Sequence, residues 1–128
     1  MTEDLKLLAQ DLGKSTDELR IRLEMVEEAL IGLNLGVSVK VQLTTTENLW
    51  FKKVGKQGWK LMVEYVGDHA FNQVGTTSRE TRNLVSQKLD ELLAAMLVEG
   101  MRQLQETESG VKSVEAFLNR VLPRDQDR

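Results

Sequence analysis

Lys40, Lys52 and Lys60 fall at matching positions of three neighbouring stretches that alternate apolar and polar residues, with Trp50 and Met62 close beside them. Setting Val41 opposite Phe51 and Leu43 opposite Leu49, then Phe51 opposite Leu61 and Leu49 opposite Val63, places the three lysines side by side. The next row of the same face is Gln42, Trp50 and Met62. Cross-strand neighbours lie about 4.5–5.5 Å apart at Cβ, so like charges there repel unless an anion or a carboxylate offsets them. A cationic row beside an aromatic ring suits a polyanion whose bases stack on that ring. The same side chains also make an ordinary solvated strand face, with lysine stems along a tryptophan and lysine charges guarding against edge pairing. A third use is an interface in which a partner chain covers Trp50 and Met62.

A second candidate is the stretch VGTTSRETR, residues 74–82. Thr77 and Glu80 have capping-box spacing, which opens a helix there. A helix start favours anions, yet Arg79 and Arg82 sit in or near its first turn, so either a carboxylate pairs with them or an anion binds. The GxxxxGK[ST] phosphate loop is absent. For catalysis the chain has one histidine, His69, beside Asp68. An imidazole next to a carboxylate can act as a general base, but no HExxH, GxSxG or metal-ligand spacing accompanies it. The expectation is a protein that is not an enzyme and needs no cofactor.

The elements that would position these groups follow from periodicity. Leu5, Leu8 and Leu12, then Leu19, Leu23, Val26, Leu30 and Leu33, step by three and four, which predicts helices over 3–12 and 16–33. Gly13 and the Ser15/Glu18 capping-box pair divide them, with one bent helix as the alternative. The period then becomes two, predicting strands over 35–44, 49–54 and 59–66 joined by the turns TTTEN and GKQG. Residues 67–77 show no period and read as a loop. Two apolar stripes predict a long helix over 78–106, a break near Thr107 to Gly110, and a last helix over 111–122 ended by Pro123. The expected architecture is a single two-layer α+β domain over 1–122, a three-stranded antiparallel meander under helices, with a flexible tail at 123–128. The leucine stripes exceed what three strands can cover, so self-association through helices is expected.

The order helix, three antiparallel strands, helix, with basic residues opening the second helix, resembles the double-stranded-RNA-binding domain. Aligning Thr77 with the serine of that family's Ser-Lys-Lys-x-Ala-Lys run puts Ser78 and Arg79 on the paired lysines and Arg82 on the third. The turn TTTEN has no Gly-Pro-x-His signature, and Ser78 removes one charge. The resemblance implies phosphate contacts from Arg79 and Arg82.

Composition sets the limits. With 128 residues, 41% hydrophobic and 29% charged, the chain is of a size and balance to fold as one domain. It has no cysteine, which removes disulfides and thiolate chemistry. The net charge of −3 conceals five basic groups against one acidic over residues 34–60 in an otherwise acidic chain. A whole-domain nucleic-acid footprint is therefore absent, while a local basic patch is present. No apolar run approaches a bilayer span, and the start MTEDLKLLAQDL is acidic and amphipathic, so a cytoplasmic protein that works through protein association is expected, with nucleic acid as the alternative partner and no membrane.

Overall fold

The computed structural model describes residues 1–123. Its elements are α1 (Thr2–Gly32), β1 (Val39–Gln42), β2 (Glu47–Lys53), β3 (Trp59–Tyr65), β4 (Ala70–Gln73), α2 (Arg79–Gln87) and α3 (Leu89–Val121). The class is the expected one, α+β with an antiparallel sheet, but the sheet has four strands in the order β1-β2-β3-β4. The extra strand comes from the stretch read as a loop. Only four residues long, it is too short to display a period, and it gains its place by pairing with β3 from Met62 to Tyr65. This strand also separates the topology from the double-stranded-RNA-binding arrangement. Of the expected tail, residues 124–128 lie outside the described residues.

The two expected N-terminal helices are one. Gly13 costs a helix interior about 1 kcal/mol relative to alanine, but the leucine register runs on through it. The Ser15/Glu18 capping box does not form; Thr16 instead returns its hydroxyl to the Leu12 carbonyl at 2.7 Å, a bond compatible with a continuing helix. At the other end the expected break at Thr107–Gly110 is absent and α3 runs unbroken to Val121. The real interruption is at Lys88, with φ −108° and ψ 4°. The segments it separates have different partners. α2 packs on α1 and on the 3-10 turn Val74–Thr76, whereas α3 lies along β1.

β1 is shorter than the expected 35–44 because Asn34 and Gly36 take left-handed φ values of 54° and 70°, which interrupts the extended run. The β2–β3 register is the expected one, with Phe51 opposite Leu61 and Lys52 opposite Lys60. The β1–β2 register is displaced by two residues: Val39, not Val41, faces Phe51, and Lys40 faces Trp50. The turn explains the shift. Leu43 and Thr44 N–H both donate to the Glu47 carbonyl, at 2.9 and 3.1 Å, so the chain reverses within Thr44–Thr46 instead of the five residues TTTEN. A slip of two leaves each side chain on its expected face, because strand side chains alternate with period two.

The inner face of the sheet carries the core. Val39, Leu49, Phe51, Leu61 and Val63 meet Leu23 and Leu30 of α1, Val85 of α2, and Leu92 and Met96 of α3. Trp59 stacks on Phe51 at 5.3 Å between centroids and 24° between planes. Glu47 fastens the β1–β2 turn to α2, accepting from Thr44 Oγ1 at 3.3 Å and from the buried Thr81 hydroxyl at 3.2 Å.

Candidate functional site

The outer face of the sheet, bordered along β1 by Ala94, Ala95 and Val98 of α3, gathers some of the expected groups and separates others. Lys40 Nζ lies 5.4 Å from the Trp50 ring centroid, and Lys52 Nζ lies 5.5 Å from the same ring and 4.2 Å from that of Phe71. Trp50 and Phe71 meet edge to face at 6.1 Å. Cation–π contacts of this kind contribute about 0.5–1 kcal/mol at exposed sites, and here they hold two lysines over one aromatic platform. Phe71 belongs to the strand that periodicity did not reveal. Its signal in the sequence is a lone aromatic four residues beyond Gly67, consistent with the far arm of a tight hairpin.

The same strand changes the status of Met62. Expected to be open beside Trp50, it is only 7% exposed, and Gln73 stands opposite it on β4. Between Trp50 and the β4 side chains, the thioether is a filler beneath the platform.

Lys60 does not join the platform. It faces Lys52 across the β2–β3 pair, but its ammonium lies 3.7 Å from Glu27 Oε1. Glu27 is held there by a second bond. β4 ends opposite Met62, so the Leu61 N–H has no strand partner, and Glu27 Oε2 accepts from it at 2.7 Å. A carboxylate therefore offsets the lysine repulsion on this side. Expected as a row of three, the lysines form a pair on an aromatic platform and a separate ion pair.

Arg79 and Arg82 stand apart from both. They belong to α2, which packs through Val85 against the inner face, on the other side of the sheet from Lys40 and Lys52. The helix starts one residue later than expected: Ser78, not Thr77, is the N-cap, its Oγ accepting from the Thr81 N–H at 3.2 Å. Thr77 turns its hydroxyl to the Val74 carbonyl at 2.7 Å. Arg79 is exposed, while Arg82 Nε is buried with no hydrogen-bond partner among the described residues. His69 lies exposed in the β3–β4 turn at φ 53°.

One acid belongs to the platform. Glu64 Oε1 accepts from Trp50 Nε1 at 2.8 Å and from Asn48 Nδ2 at 3.2 Å. Both bonds favour the charged form and hold the carboxyl below its ordinary value of 4.5, with Lys40 and His69 adding smaller charge effects. A depressed folded-state value contributes stability that is complete above the ordinary carboxylate range and is lost as pH falls through the folded value. The Trp50 indole N–H resonance should accordingly move as acid is added below pH 4.5, and Glu64→Gln should remove that movement. An indole resonance that titrates equally in Glu64→Gln would show that Glu64 is not the group responsible.

The helices expose a different kind of surface. Leu5, Leu8 and Leu12 on the first half of α1, and Leu104, Val111, Val114 and Leu118 on the second half of α3, are all at least 40% exposed. An apolar groove of about 420 Å³ runs between the helices, lined by Val26, Leu30, Leu33, Leu89 and Leu93 among others. Among the described residues no helix is long and apolar enough to cross a membrane. Comparison of the chain with protein-family models, with curated proteins and with solved structures finds no match.

Proposed function

We propose that this chain is a non-catalytic protein that acts by association, meeting copies of itself or a protein partner through the apolar faces of its two long helices. Accessible area is the observation that carries the reading. The chain exposes 9367 Å², whereas a compact monomer of this length exposes roughly 6,900 Å². The excess of roughly 2,500 Å² is several times the ~800 Å² that each partner contributes to a standard interface. Apolar side chains of α1 and α3 that are at least 40% exposed, among them Leu5, Leu8, Leu104, Val111 and Val114, form part of that surface. Water does not favour exposed leucines and valines in such number, whereas a protein surface does. A cytoplasmic site of action belongs to the same proposal.

Sedimentation equilibrium at tens of micromolar should return a mass above that of one chain. A monomer across that range would overturn the reading.

Lys40 and Lys52 favour a second reading, in which the outer face binds a polyanion. The two cations share the Trp50 and Phe71 platform, and neither has an ion-pair partner among the described residues. Here a single-stranded nucleic acid should bind at low salt and weaken as salt rises. Lys52→Glu should abolish that binding, whereas Arg79→Ala, on the other side of the sheet, should leave it intact. No binding of RNA or DNA at low salt would end this alternative.

A further inference from the structure

Beyond Gln103, α3 leaves the rest of the chain: residues 104–121 are all exposed, yet the helix continues to Val121. This arm of eighteen residues is about 27 Å long at 1.5 Å per residue. Its apolar residues are not scattered. Leu104, Val111 and Leu118 recur every seven residues, as do Thr107, Val114 and Val121 three places later. These are the a and d positions of a heptad repeat. Every large apolar residue from 101 to 122 falls at a, d, e or g; the b, c and f positions hold Gln105, Glu106, Ser109, Lys112, Ser113, Ala116, Asn119 and Arg120, together with Arg102. One face is made for a neighbouring helix and the other for water.

Resting on the association reading and naming its partner, we infer that this arm packs in parallel against the same segment of other copies of the chain. Self-complementarity is the first reason, because a seven-residue seam matches itself in register. Charge supplies the orientation. In a parallel bundle each e residue flanks a g residue of its neighbour, so Glu108 meets Gln103 and Glu115 meets Gly110. An antiparallel pair centred on the arm would set Glu108 against Glu115 along the e–e flank, placing like charges together. Number follows from side-chain shape. Leucine at two of the three a positions, Leu104 and Leu118, with β-branched Thr107, Val114 and Val121 at d, favours three or four strands over two. Met101, Phe117 and Leu122, at e and g, widen the apolar face in the same direction.

The seam has a natural upper end. A Cβ on Gly100, the preceding d position, would lie 3.4 Å from the Leu35 side chain, so the chain's own leucine already covers that point. The partner helices therefore splay above Leu104, which leaves room for the domains.

The test uses the full chain. Wild-type protein at tens of micromolar should sediment as three or four chains, and any stable mass of two or more that depends on the seam supports the inference. Leu104→Glu and Leu118→Glu should each weaken association by at least ~30-fold, the effect of removing a central interface side chain. Ala116→Glu, on the outward f position, should leave the mass unchanged. Because the chain has no cysteine of its own, Val111→Cys and Ala116→Cys give unambiguous oxidative cross-links. The first should form disulfide dimers and the second should not. Circular dichroism confirms that each variant remains folded; these positions are exposed within one chain, so the domain core is untouched. A monomeric wild type would overturn both this inference and the association reading. An oligomer that persists in Leu104→Glu and Leu118→Glu, or that cross-links through Ala116→Cys and not Val111→Cys, would overturn the α3 bundle alone.

Discussion

Phe51→Ala should lower the stability of the fold by about 3–5 kcal/mol, the usual result of emptying a buried phenylalanine site. Phe51 is 2% exposed, lies between Val39 and Leu61 in the sheet, and stacks on Trp59 at 5.3 Å. Truncation removes its buried area and leaves the Trp59 indole beside a void in the core. A domain of this length has a total stability of only about 5–15 kcal/mol, so the variant should approach unfolding in mild conditions. With a urea dependence of about 1–3 kcal/mol per molar, the midpoint should fall by roughly 2 M. Leu5→Ala, at a 59% exposed position, should leave the midpoint of a single chain nearly unmoved. A Phe51→Ala loss below about 1 kcal/mol would mean that the sheet and helices do not meet where described.

Glu27→Ala should cost about 1–3 kcal/mol, because it leaves the Leu61 N–H unpaired at a buried residue. The hydrogen bond, not the ion pair, carries most of this. Lys60→Ala removes only the 3.7 Å contact with Glu27, a partly exposed pair for which about 0.5–1 kcal/mol is expected. Glu27→Gln keeps an acceptor for the amide and should resemble Lys60→Ala. Amide exchange at Leu61 discriminates further: it should accelerate strongly in Glu27→Ala and little in Lys60→Ala. Equal losses from Glu27→Ala and Lys60→Ala would show that charge, and not the capped strand edge, is what Glu27 supplies.

The acidic groups of α3 behave differently from Glu27. Arg102 bridges Glu99 and Glu106 along one helix face, and its hydrogen bonds, with one from Gln103, hold the Glu99 carboxyl down to about 2. The arrangement is local to successive turns, with Arg102 and Glu106 exposed and Glu99 half-buried. Such pairs stabilise a helix by only a few tenths of a kcal/mol, so they support the arm without fixing what it meets.

Periodicity in the chain was enough to determine which residues face the core. The alternation through Leu49, Phe51, Leu61 and Val63 names the inner sheet face, and the helical spacing of Leu23, Leu30, Leu92 and Met96 names what covers it. These readings hold because burial acts residue by residue on a face, and a face is written as a period. The heptads of α3 are equally present in the chain, although a glycine at position 110 suggested a break there. Local propensity misled at Gly13 and Gly110 because its cost of about 1 kcal/mol is small beside the register of a long helix.

What needed the tertiary structure were the relations between elements. No pattern in TTTEN reveals that the chain reverses within Thr44–Thr46, and that tighter turn moved Lys40 from beside Lys52 to opposite Trp50. Four residues, Ala70–Gln73, carry no period of their own; pairing with β3 made them a strand, buried Met62 and brought Phe71 under Lys52. Glu27 is thirty-four positions from Leu61, and only where β4 stops does an unpaired amide exist for it to accept. Burial is encoded locally as a period, but turn closure, strand pairing and the satisfaction of a single amide depend on groups distant in the chain. Which lysines share a platform, and which is already paired, was therefore settled in three dimensions.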